Sequence, residues 1–380
     1  MKKKILFVTW SLTLGGGESR IITDIINNLN LEKYKIDILE FNKGTKEINI
    51  KEEVTFLKPI IDHTSEDIKK QKRELSKYIH NPNEISSLFD TEYDWVIACN
   101  RGNTTFISSF IPSKKRISWI LGSVSNLDVN NVDDEKRKFI VKEEHQKHMI
   151  AFNKFNKIIT VSDESYDSFV KLFPIHSSKL IKIYNNIDID AIKKKSEDDN
   201  YPLIESDMNI LVNMARLADV KNQKLLIDAM RKITDIRKDV QLIIIGDGPL
   251  YNELNKYIKD LKLEDSVKLM GFYTNPFPLL KKCKIFCLSS ITEGFCLSLA
   301  EACALGLPFI STNVGGTSEL LSIAKCGLIT DNNVNDYAAK IQMLLDNESL
   351  YNELKNNSII AADAFDIKNL IPKIEQLLDS

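Results

Sequence analysis

Short apolar runs alternate with amphipathic stretches along the whole chain. Lys4–Trp10 (KILFVTW) reads as a buried strand. The glycine turn Gly15-Gly16-Gly17 follows, then a stretch with Ile21, Ile22, Ile25, Ile26 and Leu29 at helical spacing. Lys35–Phe41 alternates as a strand, and Asp94–Cys99, Arg116–Leu121 and Lys157–Val161 are further strand-like runs separated by helical segments. The pattern restarts after residue 200. Met208–Met214 predicts a strand, Asn222–Thr234 a helix, and Val240–Ile245 a strand closed by the turn Gly246-Asp247-Gly248-Pro249. Another helix precedes the strand-like runs Val267–Met270, Lys284–Leu288 and Leu307–Ser311. This alternation is that of βαβ units and a parallel sheet, and its restart predicts two consecutive doubly wound α/β domains, residues 1–190 and 203–363. Such domains place ligands at the carboxyl ends of their strands, here facing one another across a cleft. The polar stretch Asp190–Pro202 reads as the linker. The tail 364–380 holds an amphipathic helix, Asp366–Leu378, for which packing back on the first domain is an option that periodicity does not decide.

Composition narrows the class. With 380 residues, 43% hydrophobic and 27% charged, the chain has enough apolar material for two cores. A net charge of −2 supplies no basic field of the kind nucleic-acid binding needs. The opening Met-Lys-Lys-Lys runs straight into Ile5–Val8, too short for a signal core, and no run of 18 apolar residues occurs; a cytoplasmic protein is expected. Six cysteines without a C-x-x-C pair, and only five histidines, read as reduced core thiols and predict no metal site.

The segment from Glu293 to Glu301 concentrates the chemistry. Lys284–Ser290 is strand-like, while Leu297 to Ala304 is small-residue helix ended by Gly306 and Pro308. Glu293 is therefore expected on a loop at a strand's carboxyl end, and Glu301 about one turn into the next helix. Gly294 lets backbone approach a ligand, and the helix start offers unpaired N–H groups to an anion. Two acids so placed suit the hydroxyls of a sugar nucleotide; the plainer reading is a helix whose acidic start answers its dipole.

Taken with Ala215-Arg216-Leu217 and Lys221-Asn222, with Leu14-Gly15-Gly16-Gly17-Glu18, with Ile183-Tyr184-Asn185-Asn186-Ile187-Asp188, and with Val314–Glu319, the chain resembles the family 4 retaining glycosyltransferases of the GT-B fold over nearly its full length. The resemblance implies a nucleotide-sugar substrate, a UDP-sugar before a GDP-sugar, with no cofactor and no metal. It implies that Arg216 and Lys221 hold the diphosphate and that Gly16 and Gly17 close onto the phosphates. Glu293, with Gly294, Phe295 and Cys296, would meet the donor sugar, Glu293 beside the bond that breaks. Glu301, Leu297 and Ser298 would meet the nucleotide. The departing phosphate would help deprotonate the acceptor in a front-face reaction, without an enzyme nucleophile. The family's histidine beyond a strand like Arg116–Leu121 is absent; Leu121 or Gly122 stands there. His145 and His148 read as the surface of a charged helix.

A Lys-, Asn- and Ile-heavy composition suggests an AT-rich bacterial genome and hence a glycan or lipid-linked glycan acceptor in surface polysaccharide synthesis. The alternatives are a degenerate GT-B subunit supporting another transferase, and a GT-B nucleotide-sugar epimerase. Ile68–Ile79 and Lys136–Met149 combine cations with apolar residues at helical spacing. That pattern suits weak, salt-sensitive contact with anionic lipid at the inner membrane face, or a solvated helix packed on its own domain.

Overall fold

The apolar runs form the strands of two parallel sheets in the computed structural model, which describes residues 2–14, 16–64, 67–132, 134–198 and 208–380. In the first half these strands are β1 (Lys3–Thr9), β2 (Tyr34–Glu40), β3 (Asn42–Lys43), β4 (Thr55–Phe56), β5 (Ile61–Asp62), β6 (Tyr93–Cys99), β7 (Ser113–Ile120), β8 (Lys157–Thr160) and β9 (Leu180–Lys182). Seven of them make one sheet in the order β4-β2-β1-β6-β7-β8-β9, while β3 and β5 pair separately. The second half supplies β10 (Asn209–Met214), β11 (Val240–Ile245), β12 (Val267–Gly271), β13 (Ile285–Leu288), β14 (Phe309–Thr312) and β15 (Gly327–Thr330), ordered β12-β11-β10-β13-β14-β15. Strands buried on both faces explain the unbroken runs: Ile5, Leu6, Phe7 and Val8 in β1, and Leu211 and Val212 in β10, are enclosed.

The chain divides into one unit of Met1–Asn186 with Ile367–Ser380 and a second of Ile187–Asp366. In the first, the C-terminal helix Ile367–Asp379 buries Leu370, Ile374 and Leu378. The Trp95 indole N–H donates to the Leu378 carbonyl at 2.9 Å, and the Tyr34 hydroxyl to Asp379 at 2.9 Å. These bonds fasten the end of the chain onto β2 and β6.

The sequence-derived linker is partly a helix. Ile189–Lys195 is helical, capped by the Asp188 carboxylate, which accepts the Ala191 N–H at 2.8 Å, and it belongs to the second unit. The remaining linker residues from 199 onward lie outside the described residues. In each sheet the strand order reverses once, between β1 and β6 and between β10 and β13. Loops leaving the carboxyl ends of these central pairs diverge to opposite faces, so each pair opens a crevice.

Candidate active site

In the second unit the crevice carries most of the residues singled out in the sequence. The chain leaving β10 passes Arg216, makes a tight turn at Asp219–Lys221, and enters helix Gln223–Ile236 through Asn222 in a left-handed conformation (φ 48, ψ 44). The chain leaving β13 forms the loop that carries Glu293. Lys221 Nζ meets Glu293 Oε1 at 2.5 Å, and the Ser290 hydroxyl donates to the same oxygen at 2.6 Å. Backbone ties fix the two loops together. Ile291 N–H donates to the Val220 carbonyl at 2.8 Å, and the Ser289 hydroxyl to the Lys221 carbonyl at 2.8 Å. The pair is largely enclosed, with side chains 22% and 11% exposed, so its charge-assisted bond is stronger than that of a solvated ion pair. Arg216 stands exposed on the rim, and no ion-pair partner holds its guanidinium among the described residues.

Helix Leu297–Ala304 begins after Cys296 with no side-chain cap, so its first N–H groups, at Leu297 and Ser298, are not claimed by a capping side chain. Phe295 and Cys296 are buried; Phe295 packs on Phe365 with centroids 5.1 Å apart, and burial pushes the Cys296 thiol up to about 12. Glu301 lies one turn into the helix, almost wholly buried. The Gly315-Gly316 turn presses on the loop from behind: a Cβ at Gly315 would stand 2.5 Å from the Glu293 carbonyl oxygen and 2.7 Å from that of Gly294. Glu319 holds this turn by accepting the Gly316 N–H at 3.0 Å. The sequence reading noted Gly315, Gly316 and Glu319 as a motif; the structure adds their contact with the Glu293 loop.

In the first unit Gly16 (φ 113) caps helix Gly17–Asn28 and Gly17 starts it, while Gly15 lies outside the described residues. The residue that shapes the preceding loop was missed. Glu40, buried at the end of β2, accepts at one oxygen from the N–H groups of Leu12 (2.6 Å) and Thr13 (2.9 Å) and from the hydroxyls of Thr13 (2.9 Å) and Ser11 (3.2 Å). An acid closing an otherwise apolar strand was the available signal.

The histidine reading needs correction. His148 is not on a solvated surface: it is 1% exposed, its Nδ1–H donates to the Glu144 carbonyl at 2.7 Å, and its Nε2 accepts the Gly102 N–H at 3.0 Å. Burial lowers its pKa to about 4, so the ring is neutral. His145 is half-buried and stacks on Phe173 at 4.7 Å. Leu121, where the family histidine was looked for, is a buried apolar residue. Asp188, part of an Asp-x-Asp spacing, is occupied as a helix cap.

The two cationic stretches are helices. Ile68–His80 buries Leu75 and Tyr78, and Glu135–Lys154 buries Val141, His148, Ala151 and Phe152 but leaves Phe139, Ile140 and Ile150 exposed. Among the described residues no helix is long and apolar enough to cross a membrane.

A model of the glycosyl transferases group 1 family matches residues 194–360, the stretch that contains Arg216, Lys221, Glu293 and Glu301. Over 239 residues the chain is 30% identical to the N-acetylgalactosamine-N,N'-diacetylbacillosaminyl-diphospho-undecaprenol 4-alpha-N-acetylgalactosaminyltransferase of Campylobacter jejuni, covering 62% of each chain. Over 196 residues it is 30% identical to the N-acetyl-alpha-D-glucosaminyl L-malate synthase of Bacillus anthracis, covering 47% of this chain and 49% of that one. The chain thus spans about three fifths of the first relative's length and about half of the second's. The crystal structure of Alr3699/HepE from Anabaena in complex with UDP has the same fold, with a TM-score of 0.75, 20% identity and all of both chains covered. Residues 194–360 match the glycosyl transferases group 1 family, and the chain has the GT-B fold.

Proposed function

We propose that the protein is a retaining, metal-independent glycosyltransferase that moves a sugar from a nucleotide-sugar donor, a UDP-sugar before a GDP-sugar, to a glycan or lipid-linked glycan acceptor in bacterial surface polysaccharide synthesis. The observation that carries this reading is the Lys221–Glu293–Ser290 cluster at the crevice between β10 and β13, inside the segment that matches the family. The Campylobacter relative, whose name gives a diphospho-undecaprenol acceptor, favours a lipid-linked substrate. The UDP bound by the Anabaena protein favours uridine.

On this reading Arg216 and Lys221 neutralise the diphosphate as its charge grows, which needs no ion between protein and phosphate. Glu293, its carboxylate oriented by Lys221 and Ser290, accepts hydrogen bonds from donor-sugar hydroxyls beside the breaking bond. The backbone of Gly294–Cys296 lies along the sugar. The uncapped start of the helix at Leu297 and Ser298 faces the nucleotide phosphates, and Glu301 takes the ribose. Gly16 and Gly17 let the first unit's loop approach the phosphates. The leaving phosphate takes the acceptor proton. The reaction takes place on the cytoplasmic side, with Phe139 and Ile140, flanked by Lys136, Arg137, Lys138 and Lys142, making weak contact with anionic lipid.

The test is nucleoside diphosphate release from a panel of UDP- and GDP-sugars, with and without undecaprenyl-diphosphate-linked acceptors and with EDTA. Glu293→Gln is expected to lower kcat, Glu301→Gln to raise the donor KM, and Lys221→Ala to weaken UDP binding by about tenfold or more. A strict requirement for added Mn²⁺ would remove metal independence, an inverted anomeric product would remove retention, and release from no donor would remove the assignment. Co-sedimentation with phosphatidylglycerol vesicles at low salt tests the membrane contact.

A further inference from the structure

The loop that carries Glu293 is tied differently on its two sides. The ladder between β13 and β14 ends at the pair Leu288 and Ser311, so residues 289–293 leave the sheet without strand pairing. Toward the chain leaving β10, two hydrogen bonds hold them: the Ser289 hydroxyl donates to the Lys221 carbonyl and the Ile291 N–H to the Val220 carbonyl, both at 2.8 Å. Toward β14 there is one. The Thr312 hydroxyl donates to the Ser290 carbonyl at 2.6 Å, and among the described residues no other hydrogen bond joins β14 to this loop. Thr312 ends β14 and is 3% exposed, and Ser290 is 1% exposed, so water does not compete for the bond.

Ser290 turns this backbone bond into a constraint on a side chain. Its carbonyl is fixed by Thr312 while its own hydroxyl donates to Glu293 Oε1 at 2.6 Å. A buried carbonyl without a donor is costly, so in the absence of the Thr312 hydroxyl the Ser290 peptide turns toward whatever donor remains. That rotation changes the direction of the Ser290 side chain, and its hydroxyl leaves Oε1. Lys221 is anchored by another route: Ser289 takes its carbonyl, and Arg216 stands on the rim, so the backbone placement of neither cation passes through Thr312.

We propose that Thr312 is a positioning residue for sugar transfer, aligning the Glu293 carboxylate through Ser290 and leaving diphosphate binding to Arg216 and Lys221. The role of Glu293 in this proposal rests on the transferase reading. Thr312 itself touches no reacting atom, because its hydroxyl is engaged by a backbone carbonyl. A residue of the same shape without the hydroxyl therefore keeps the packing and loses the alignment, which separates turnover from binding.

The experiment compares, in the full chain, Thr312→Val, which keeps the shape and removes the hydroxyl, with Thr312→Ser, which keeps the hydroxyl. Nucleoside diphosphate release gives kcat and the donor KM, calorimetry gives UDP and GDP affinity, and a thermal melt reports folding. Thr312→Val is expected to lower kcat about tenfold or more, with nucleoside diphosphate affinity within about twofold of wild type and a melt a few degrees lower. Thr312→Ser is expected to keep kcat within about threefold of wild type. In a Ser290→Ala background, Thr312→Val should lower kcat by no more than about twofold, because the hydroxyl it acts through is already gone. The proposal is overturned by a folded Thr312→Val protein with kcat within about threefold of wild type, by a Thr312→Ser protein that loses as much, or by an undiminished loss in the Ser290→Ala background. Should Thr312→Val melt below the assay temperature, Thr312→Cys, whose S–H is a weak donor, is measured with the same expectation. A wild-type chain that releases nucleotide from no donor defeats the transferase reading and this proposal with it, whereas a wild-type rate that Thr312→Val leaves unchanged defeats this proposal alone.

Discussion

Adding a single methyl group at Gly315 tests how tightly the Glu293 loop is held. The new Cβ would lie 2.5 Å from the Glu293 carbonyl oxygen, 2.7 Å from that of Gly294 and 3.2 Å from the Gly294 carbonyl carbon. Ordinary contact begins near 3.4 Å, so the Glu293–Gly294 backbone has to withdraw by about 0.9 Å, because backbone on both sides leaves no side chain to swing away. The Glu293 carboxylate is held by Lys221 at 2.5 Å and Ser290 at 2.6 Å, and a shift of that size breaks the alignment of both. A displacement of about 1 Å beside the reacting bond costs on the order of 100-fold in rate, or about 2.7 kcal/mol of transition-state stabilisation. Overpacking itself costs about 1–3 kcal/mol of stability. Gly315→Ala is therefore expected to fold, to melt a few degrees lower, and to lose about 100-fold in kcat/KM for the donor, measured by nucleoside diphosphate release alongside a thermal melt. Activity within about threefold of wild type in a folded Gly315→Ala protein would refute the argument that this contact positions Glu293.

Three further outcomes are expected. Because the folded His148 pKa lies near 4 and the unfolded value near 6.5, the unfolded chain binds the extra proton between these limits, so stability is intact above about pH 6.5 and falls as pH drops toward 4. The loss amounts to about 3 kcal/mol across the window, of which about 2 kcal/mol falls between pH 7 and pH 5; urea midpoints at those two values measure it, and His148→Gln should flatten the difference. Glu40→Ala strips the acceptor from two buried N–H groups and a hydroxyl, so a loss of about 3 kcal/mol or more is expected by urea denaturation, with Glu40→Gln losing less because one carbonyl oxygen remains. Lys221→Met removes the partner of Glu293 and, on the proposed reading, a phosphate ligand, and it should weaken UDP binding more than Arg216→Ala does, as read by calorimetry.

The sequence carried the fold wherever a strand was long enough to show a pattern. Runs such as Ile5–Val8 and Leu242–Ile245 are buried on both faces and stand out as unbroken apolar stretches. The edge strands Thr55–Phe56 and Leu180–Lys182 are only two and three residues long, and β15 contains a glycine, so no period could develop in them. The helix Ile189–Lys195 was hidden for a different reason. It is seven residues long and ends in three lysines that read as linker. His148 was misplaced because its neighbours are charged. The buried stripe on that helix is Val141, His148 and Phe152, at spacings of seven and four, and it is narrow enough for the surrounding Lys and Glu residues to mask it.

Site residues were legible in proportion to how local their geometry is. The Glu293–Glu301 spacing spans one loop and one helical turn, and the chain sets it by itself. The Lys221–Glu293 bond joins positions 72 apart, and the Glu40 bonds join positions 27 to 29 apart; only the pairing of β10 with β13, and of β1 with β2, brings them together. The sheet order thus determines where a site opens, and the few residues beyond each strand end determine its chemistry. Beyond β10 and β13 those residues are an exposed arginine and a lysine bonded to a carboxylate, beside an uncapped helix start, the set that the proposed function gives to a diphosphate. Beyond β1 they are the Ser11 and Thr13 hydroxyls and the Leu12 and Thr13 N–H groups, all turned onto Glu40. The same topology used twice therefore does not predict the same ligand twice, and the difference lies in side chains that leave the backbone fold unchanged.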